Sequence, residues 1–374
     1  MLTALDLPTP DFTFDPAAPG ACIAGVRPYR LGSYRLDAET ASGTLVVHNY
    51  GHGGAGITLS WGCAARVRDI VAEHLTTSRT TDVAVLGAGV MGLTAAIRLL
   101  DLGLGVTVYA DRPPVETTSY RAGGRWAVSV VTFAGKEREL AGILTESYTQ
   151  FRKCLGSPFG VSERPSYSAT ATDGLDIVHT LAPHLLPERV ELERLPFEGH
   201  SGPGYGYRTL LVEPPVFLPR LEADLRARGV RFVQRHFTSE SDVLSSVPED
   251  VVVNCTGLGA RTLWHDSRMH PIKGQLAMLP PQPALRHLYG QNGYLFPRAD
   301  HVVVGGTVES GVDDETPEPA KCVELVRHMA SLFAETAPTP LPEYHIHHPR
   351  NASMVRADLA RGARPWPGPS PTTS

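Results

Sequence analysis

The chain has 374 residues and a formal net charge of −5, with 42% hydrophobic and 20% charged residues. This composition is ordinary for a globular enzyme, and the weak negative charge gives no reason to bind nucleic acid or anionic lipid. The apolar runs fall short of the roughly 20 residues that a membrane span requires, and the N-terminus carries no secretory signal pattern. Five dispersed cysteines without a CxxC pair indicate reduced thiols, so we expect a cytoplasmic protein.

In chain order, the predicted elements alternate between helices and β-rich runs. Residues 1–22 predict an extended arm, and residues 44–75 predict a strand, a glycine loop and a helix. Residues 82–112 predict a strand, a tight glycine turn, an amphipathic helix and a second strand. The later elements are a helix, two strands, a hairpin and a last helix, at 213–229, 230–237, 250–260, 294–307 and 320–333. This alternation predicts an α/β fold, with the proline-broken middle of the chain forming a second domain.

A glycine-rich motif follows the first strand of the 82–112 unit. Gly87, Gly89 and Gly92 form GxGxxG, in which the glycines permit the turn, the approach of a pyrophosphate and close packing of helix on strand. The helix N-terminus adds partial positive charge, and Asp111 ends the second strand, where an acid can bind ribose hydroxyls. These features together predict a dinucleotide site, but they do not distinguish FAD from NAD.

Several segments resemble the D-amino-acid oxidase family. VLGAGVMGLTAA, VYADR and TTSYRAGGRW resemble the opening of that family, and VVVNCTGLGA, PIKGQLAML and VVVGGT resemble its central and late segments in the same order. GVRPYR at 25–30 and VHNYGHGGAGITLSWGCA at 47–64 resemble the segments that end chains of the family. Because they come first here, the sequence resembles a circularly permuted member. The resemblance implies an FAD-binding Rossmann-like domain and an α+β substrate domain with an antiparallel sheet.

A circular permutation requires that the original termini lie close together at the surface. The linker TTSRTT at 76–81 spans at most about 20 Å, so we expect the helix at 57–75 to lie beside the strand at 82–86. GARPWP at 362–367 is either a decayed second copy of the GxRPxR motif or a chance similarity.

Both domains are expected to be discontinuous in sequence. The predicted FAD-binding domain consists of 44–145, 211–262 and 296–311. The predicted substrate-binding domain consists of 1–43, 146–210, 263–295 and 312–374.

The glycine motif and the resemblance together predict the residues that contact FAD. Backbone N–H groups of the GHGGAGIT loop are expected to stabilise negative charge on the reduced flavin, and its glycines to let the backbone approach the cofactor. The predicted cofactor-binding residues are Gly53, Gly54, Gly56, Ile57, Thr58, Gly87, Gly89, Val90, Met91, Gly92, Asp111, Arg112, Thr117, Thr118, Ser119, Gly123, Gly124, Thr256 and Gly257.

On the substrate side, Arg27 is the predicted ligand of the substrate carboxylate, because a guanidinium matches a carboxylate with two parallel hydrogen bonds. Arg364 in GARPWP is the rival for this role. Tyr205 and Tyr207 resemble the substrate-side loop of the family and are predicted to contact the same carboxylate. Arg125 departs from the family, which usually has an aliphatic residue there, and its charge either tunes the flavin potential or points to solvent.

The resemblance implies an oxidase that converts a D-amino acid, glycine or a secondary amino acid to the imino acid by hydride transfer to flavin N5, with O2 reduced to H2O2. One alternative is a flavin-dependent oxidase of a specialised amine or amino acid in a biosynthetic pathway, and another is a catalytically inactive paralogue. No metal site is expected, because His345 and His347 lack a third ligand at a recognisable spacing. We expect a small-molecule substrate and O2 as partners and no nucleic acid or membrane, and a homodimer is left open as the assembly.

Overall fold

The computed structural model describes residues 7–170, 174–197, 202–290 and 293–334. The strands are β1 (Cys22–Arg30), β2 (Arg35–Ala41), β3 (Thr44–Tyr50), β4 (Asp82–Leu86), β5 (Gly105–Ala110), β6 (Val161–Ser168), β7 (Val190–Leu192), β8 (Gly204–Val212), β9 (Arg231–Gln234), β10 (Val251–Asn254), β11 (Met269–Leu279), β12 (Leu288–Gly290), β13 (Tyr294–Pro297), β14 (Val302–Gly305) and β15 (Glu309–Ser310). The helices are α1 (Gly56–Leu75), α2 (Val90–Leu100), α3 (Glu137–Lys153), α4 (Asp176–Leu181), α5 (Pro214–Ala227), α6 (Glu240–Ser246), α7 (Ala260–Leu263) and α8 (Pro319–Phe333).

The first sheet has six strands in the order β2-β3-β10-β4-β5-β9 and is parallel apart from the antiparallel edge strand β2. Its central strands are valine-rich and buried, as expected for parallel strands that are covered on both faces. Val253 of β10 lies between Val47 of β3 and Val85 of β4. Helices α1, α2 and α3 pack together within the core that covers this sheet. The carboxyl ends of β3, β4, β5 and β10 therefore point to one edge.

The second sheet has nine strands, in the order β1-β11-β14-β13-β12-β6-β8-β7 with β15 paired to β11. All of its pairs are antiparallel except β6 with β12. Strand β1 pairs with β11 along its whole length, from Cys22 opposite Ala277 to Arg30 opposite Met269. Helix α8 packs on β11 and β14. This mixed α/β architecture with two sheets agrees with the predicted fold class.

The segment before the dinucleotide unit contributes to both sheets. It supplies β1 to the nine-stranded sheet, and β2 and β3 to the six-stranded sheet. Helix α1 packs on α2 and α3 and meets the six-stranded sheet at β3, whereas we expected it to lie beside β4. The difference arises because β10 lies between β3 and β4, so the connection from β3 through α1 to β4 crosses over one intervening strand.

Several predicted elements agree with the structure, and others fall outside its described part. The hairpin predicted at 294–307 is formed by β13 and β14, and the helix predicted at 320–333 is α8. Strand β2 lies in the six-stranded sheet, and β14 and β15 lie in the nine-stranded sheet, while the domain boundaries stay a prediction. Arg364, His345 and His347 lie outside the described residues.

All five cysteines lie within the described residues and are free thiols. Among the described residues, no helix is long and apolar enough to cross a membrane. The same residues contain no group of three or more histidine, cysteine, aspartate or glutamate side chains arranged to hold a metal ion.

Candidate active site

A cavity of about 630 Å³ is lined by residues from both sheets. The parallel sheet contributes the loops that follow β3, β4, β5 and β10, which is the edge where α/β proteins bind ligands. The nine-stranded sheet contributes side chains from β1, β11 and β13. The cavity therefore lies at the carboxyl edge of the parallel sheet, with the second sheet as its opposite wall.

Nearly all of the predicted site residues line this cavity. Every predicted cofactor-binding residue except Gly92 does so, and so does Arg27. Tyr205 and Tyr207 do not. Residues separated by more than 200 positions in the sequence, such as Gly53 and Thr256, are thus brought to one site by the fold.

The glycine turn between β4 and α2 has the geometry expected of a dinucleotide cradle. Gly87 has a φ of +102°, and a Cβ there would lie 2.5 Å from the Cys255 carbonyl oxygen. A Cβ on Gly92 would lie 1.9 Å from the Gly87 carbonyl oxygen, so this glycine allows α2 to pack on β4 from outside the cavity. Gly89 is the N-cap of α2 and faces the cavity. The turn therefore presents a bare backbone and a helix N-terminus to a ligand, which fits a pyrophosphate.

Asp111 directly follows β5 and lines the cavity. Arg112 beside it donates to both carboxylate oxygens of Glu315, at 3.2 and 3.0 Å. Arg121 donates to the same carboxylate at 2.9 Å and to the carbonyl of Ala24 in β1 at 2.7 Å. Glu315 was missed by the sequence analysis. Its carboxylate joins two arginines of the loop after β5, and one of them, Arg121, links that loop to β1.

The predicted hydroxyl cluster lines the cavity, but its side chains already have protein partners. The Thr117 hydroxyl donates to the Pro114 carbonyl at 2.7 Å, and the Thr118 hydroxyl donates to the Val26 carbonyl at 3.1 Å. Ser119 accepts from the Val90 amide at the start of α2, at 3.1 Å. These contacts tie the loop after β5 to β1 and to the glycine turn.

The glycine loop before α1 packs against the loop that contains Ser129 and Val130. A Cβ on Gly53 would lie 1.9 Å from the Val130 carbonyl oxygen, and one on Gly54 would lie 2.9 Å from the Ser129 carbonyl oxygen. These two glycines are therefore required by close packing against a neighbouring loop of the protein, and they also line the cavity. Gly56, in contrast, has no tight contact and lines the cavity.

Helix α1 begins at Gly56, and Ile57 and Thr58 in its first turn line the cavity. The amide groups of a first turn have no acceptor within their own helix, so they form an anion-stabilising site. The Thr58 hydroxyl is used structurally, because it donates to the Ala127 carbonyl at 2.8 Å.

His52 is a buried imidazole in the same loop. Its Nε2 lies 3.4 Å from the Cys63 sulfur, and its ring stacks on Tyr34 with the centroids 5.1 Å apart. Burial, together with the charge of Lys136, lowers the pKa of His52 to about 3. The imidazole is therefore neutral near pH 7.

Arg27 extends from β1 into the cavity and is fixed by the nine-stranded sheet. Its Nη1 donates to the Lys273 carbonyl at 3.3 Å and to the Thr307 carbonyl at 3.1 Å. The guanidinium lies over Gly274, where a Cβ would be 2.5 Å from Nη2. Burial lowers the pKa of Arg27 below its ordinary value, and the nearby Tyr294 and Glu309 oppose this shift. Because the ordinary pKa of arginine lies far above neutrality, the group is a positioned cation.

Tyr294 of β13 is a site residue that the sequence analysis missed. Its side chain lies near the Arg27 guanidinium, which it stabilises in the charged form, and it lines the cavity. The ring lies against Gly305, where a Cβ would be 2.4 Å from Cζ, and stacks on Phe296 with the centroids 4.3 Å apart. The sequence carried one signal for it, since a strand tyrosine opposite a Gly-Gly pair in a hairpin indicates an aromatic side chain that lies over bare backbone.

Tyr205 and Tyr207 lie on β8, near the far edge of the nine-stranded sheet. Tyr207 is buried and pairs with Ser166, while Tyr205 pairs with Ser168 and Glu191 and packs under Arg189. The predicted substrate-side loop is therefore a regular strand away from the cavity. The tyrosine that accompanies Arg27 comes from β13 instead.

Comparison with known proteins agrees with this geometry. A family model described as "DAO: FAD dependent oxidoreductase" matches residues 82–364. The D-amino-acid oxidase of Streptomyces coelicolor is 30% identical over 271 residues, which cover 71% of this chain and 81% of that protein.

The chain belongs to the DAO family of FAD-dependent oxidoreductases. The D-amino-acid oxidase of Rubrobacter xylanophilus is also 30% identical, over 66% of this chain and 76% of its own length. Among solved structures, glycine oxidase from Bacillus cereus matches the fold with a TM-score of 0.50 and 17% identity, over 67% of this chain and 77% of that one. The protein is therefore a flavoprotein oxidoreductase, and FAD is its cofactor.

The family match begins at Asp82, the first residue of β4. The segment that precedes it carries Arg27, the glycine loop and the start of α1, all of which line the cavity. In this member of the DAO family, residues that precede the matched region therefore form one side of the cavity.

Proposed function

We propose that this protein is an oxidase of amino acids with the D configuration, or of glycine or a secondary amino acid, and that it forms the imino acid while O2 is reduced to H2O2. The observation that carries the proposal is that Arg27, held by the Lys273 and Thr307 carbonyls, and the neighbouring Tyr294 line the cavity that also holds the glycine turn. The similarity to proteins named D-amino-acid oxidase supports the same reaction class.

Arg27 binds the substrate carboxylate in this proposal. Both hydrogens of its Nη1 are directed at the carbonyls of Lys273 and Thr307, so the group cannot rotate freely. Nη2 and Nε remain on the other side of the planar guanidinium, where a carboxylate can accept from both. Lysine could not replace it, because a single ammonium cannot hold two carbonyls and a carboxylate in one plane.

Tyr294 is the second ligand of the carboxylate. Burial raises the pKa of Tyr294, and Arg27 and Arg298 oppose the shift, so its hydroxyl is protonated near pH 7 and can donate a hydrogen bond. Its ring is held between Gly305 and Phe296, which limits rotation. Two fixed donors on one carboxylate define the direction of the Cα–H bond, and this positioning is a main contribution to catalysis.

The residues of the cavity wall would hold FAD along the edge of the parallel sheet. We propose that the glycine turn with α2 binds the pyrophosphate, Asp111 the ribose, and the first turn of α1 the pyrimidine edge of the flavin. When bound, FAD supplies the hydride acceptor and transfers the electrons to O2. The amides of Ile57 and Thr58 stabilise negative charge at that edge.

This reaction needs no catalytic base from the protein if the substrate amine binds in its neutral form. His52 is suited to a structural role, because its Nε2 is already paired with Cys63 and its imidazole is neutral.

The proposal is tested by anaerobic titration of the purified flavoprotein with a panel of D- and L-amino acids and glycine. We expect the oxidised flavin band to bleach with D-amino acids but not with their L-enantiomers. Arg27→Met should abolish bleaching at ordinary substrate concentrations while FAD remains bound. Arg208→Met, which removes an exposed arginine on β8, is the matched control and should bleach like the wild type.

Two results would contradict this assignment. Bleaching by an elaborate amine alone would favour a specialised oxidase, and bound FAD that no amine reduces would favour a catalytically inactive member of the family.

A further inference from the structure

The segment at 311–318 connects β15 to α8 and is fixed along β11. The Gly311 amide donates to the Pro271 carbonyl at 2.9 Å. The Asp314 carboxylate accepts from the ammonium of the buried Lys273 at 2.8 Å. Both contacts are made to β11, so this segment is held by the nine-stranded sheet.

One side chain of the segment reaches the loop after β5. The Glu315 carboxylate lines the cavity and accepts from Arg112 at 3.0 and 3.2 Å and from Arg121 at 2.9 Å. Both arginines belong to the loop after β5, which also lines the cavity. Glu315 therefore joins a segment that is held by one sheet to a loop that extends from the other sheet.

This contact lies beside the proposed ribose site. Arg112 directly follows Asp111, which we propose binds the ribose, and both residues line the cavity. The Glu315 side chain is 26% exposed, so its ion pairs lie at the rim of the cavity, where solvent reaches them. A contact at this place can hold the loop after β5 beside a bound cofactor.

The carboxylate also separates two positive charges. Arg112 and Arg121 each direct Nη1 at Glu315, so one anion fixes the orientation of both guanidinium groups. Charge-assisted hydrogen bonds of this kind are stronger than neutral ones. Without the shared anion the two neighbouring cations repel each other, and the loop that carries them loses its connection to the segment at 311–318.

We propose that Glu315 retains FAD, because by holding Arg112 and Arg121 together it keeps the loop after β5 closed beside the cofactor and slows FAD release. Glu315 acts through the two arginines, so it is a positioning residue and not a ligand of the substrate. The inference concerns FAD and does not depend on which amino acid or amine is oxidised.

The first test follows FAD release from the holoprotein. After dilution to nanomolar concentration, the rise of FAD fluorescence gives the release rate. Glu315→Gln should release FAD about fivefold faster than the wild type, because partly exposed ion pairs make modest contributions. Glu163→Gln is the matched control and should release FAD like the wild type. Glu163 is also a partly exposed carboxylate shared by two arginines, Arg152 and Arg208, but it is not among the residues that line the cavity.

Ionic strength separates this role from a loss of packing. In about 1 M NaCl the screening length falls to about 3 Å, so exposed ion pairs are weakened. Concentrated salt should therefore speed FAD release from the wild type and bring its rate close to that of Glu315→Gln. A ratio of the two rates that does not change with salt would mean that Glu315 acts through packing and not through its charge.

Hydrogen exchange tests whether the loop after β5 is the part that moves. In the holoprotein, the amides of residues 112–122 should exchange faster in Glu315→Gln than in the wild type, whereas those of β11 should exchange equally in both. Glu315→Asp keeps the charge but withdraws it from the arginines, so this second variant should also release FAD faster. Circular dichroism of the apoproteins checks that both variants fold.

The remaining outcomes are also decisive. Unchanged FAD release in Glu315→Gln, or equally fast release in Glu163→Gln, would overturn the role of Glu315. Slower release would overturn it as well, because it would show that the freed arginines bind the FAD phosphates. None of these results bears on the proposed oxidation, which is rejected instead by a bound flavin that no amino acid or amine bleaches.

Discussion

A single glycine makes room for the arginine that we propose binds the substrate. Gly274 lies on β11, next to the edge strand β1, and a Cβ there would be 2.5–2.7 Å from three atoms of the Arg27 guanidinium. The obstructed atoms belong to the end of a flexible side chain, so a larger residue displaces Arg27 rather than the backbone. The position of the cation thus depends on the absence of a side chain on the neighbouring strand.

We therefore expect Gly274→Ala to raise KM for the substrate by about tenfold or more, with a smaller change in kcat, because the lost interaction is mainly ground-state binding. Gly142→Ala is the matched control, since a Cβ on that helical glycine has nothing within 4 Å. Steady-state kinetics with both variants checks the prediction. Unchanged KM in Gly274→Ala would show that Arg27 does not contact the substrate.

His287 is buried in an apolar cluster away from the cavity. Its ring lies 4.9 Å from that of Phe197, and neither ring nitrogen has a hydrogen-bond partner among the described residues. Burial lowers the pKa of His287 to about 4. In the unfolded chain this imidazole has a pKa near 6.5. The full contribution of the neutral His287 to the free energy of unfolding is therefore present only above that pH. The contribution is lost as the pH falls from about 6.5 to about 4.

When the pH is lowered from 7.5 to 5, protonation linked to this residue should reduce the free energy of unfolding by on the order of 2 kcal/mol. His287→Phe should remove that part of the pH dependence, because phenylalanine fills the same apolar site without titrating. Urea unfolding at the two pH values measures the difference, with the exposed His184→Gln as the control. An equal loss of stability in His287→Phe and wild type would mean that other groups cause the acid sensitivity.

At the scale of elements, two glycines near the N-terminus of α2 have different roles, one in packing and one in ligand binding. Gly92 faces the β4 turn and lies outside the cavity, whereas Gly89 caps the helix and lines the cavity. A Cβ on Gly92 would lie 1.9 Å from a backbone oxygen, while one on Gly89 would meet only the movable Ser119 hydroxyl at 3.2 Å. The two glycines of one motif therefore serve different purposes.

Gly92→Ala should destabilise the apoprotein by roughly 1–3 kcal/mol, because backbone cannot move aside as a side chain can. Gly89→Ala should leave the apoprotein's stability within about 0.5 kcal/mol of the wild type and weaken FAD binding, since its methyl group would project toward the pyrophosphate. Thermal unfolding of the apoproteins and titration with FAD separate the two effects. The reverse order of effects would contradict the assigned roles.

At the scale of the whole molecule, the first 81 residues complete both sheets. We propose that the chain is a circular permutation of the family order, with β1, β2, β3 and α1 moved from the end to the front. Strand β3 lies in the interior of the six-stranded sheet, between β2 and β10, and α1 packs on α2 and α3. The linker at 76–81 adds no strand or helix of its own. The expected division into an FAD-binding and a substrate-binding domain remains part of the same proposal.

This proposal predicts that continuity through the linker is dispensable. A site-specific protease sequence inserted at 76–81 and then cleaved should leave both fragments associated and FAD bound, because β1 and β3 stay hydrogen-bonded within their sheets. Gel filtration and the flavin spectrum before and after cleavage measure this, and the uncleaved protein is the control. Separation of the fragments with loss of FAD would show that the linker itself holds the fold together.

Local sequence patterns predicted those parts of the fold and of the candidate site whose conformation is set by residues close together in the sequence. The Gly87–Gly92 turn, Asp111 and the hairpin of β13 and β14 were all predicted from short segments, because strand, turn and helix signals act over a few residues. Tyr294 was missed and Tyr205 was chosen instead. Both are strand tyrosines near glycines, and no local signal states which strand reaches the cavity.

The sequence alone was sufficient for the fold class and for FAD as the cofactor, because glycine spacing, strand and helix periodicity and a family-like motif are all properties of short segments. Only the tertiary structure placed Tyr294 near Arg27, brought Arg125 into the same cavity, and showed that the Val130 carbonyl leaves no room for a side chain at Gly53. These relations join residues far apart in the chain. They are decided by strand order and register, which place side chains beside one another only when the two sheets are assembled.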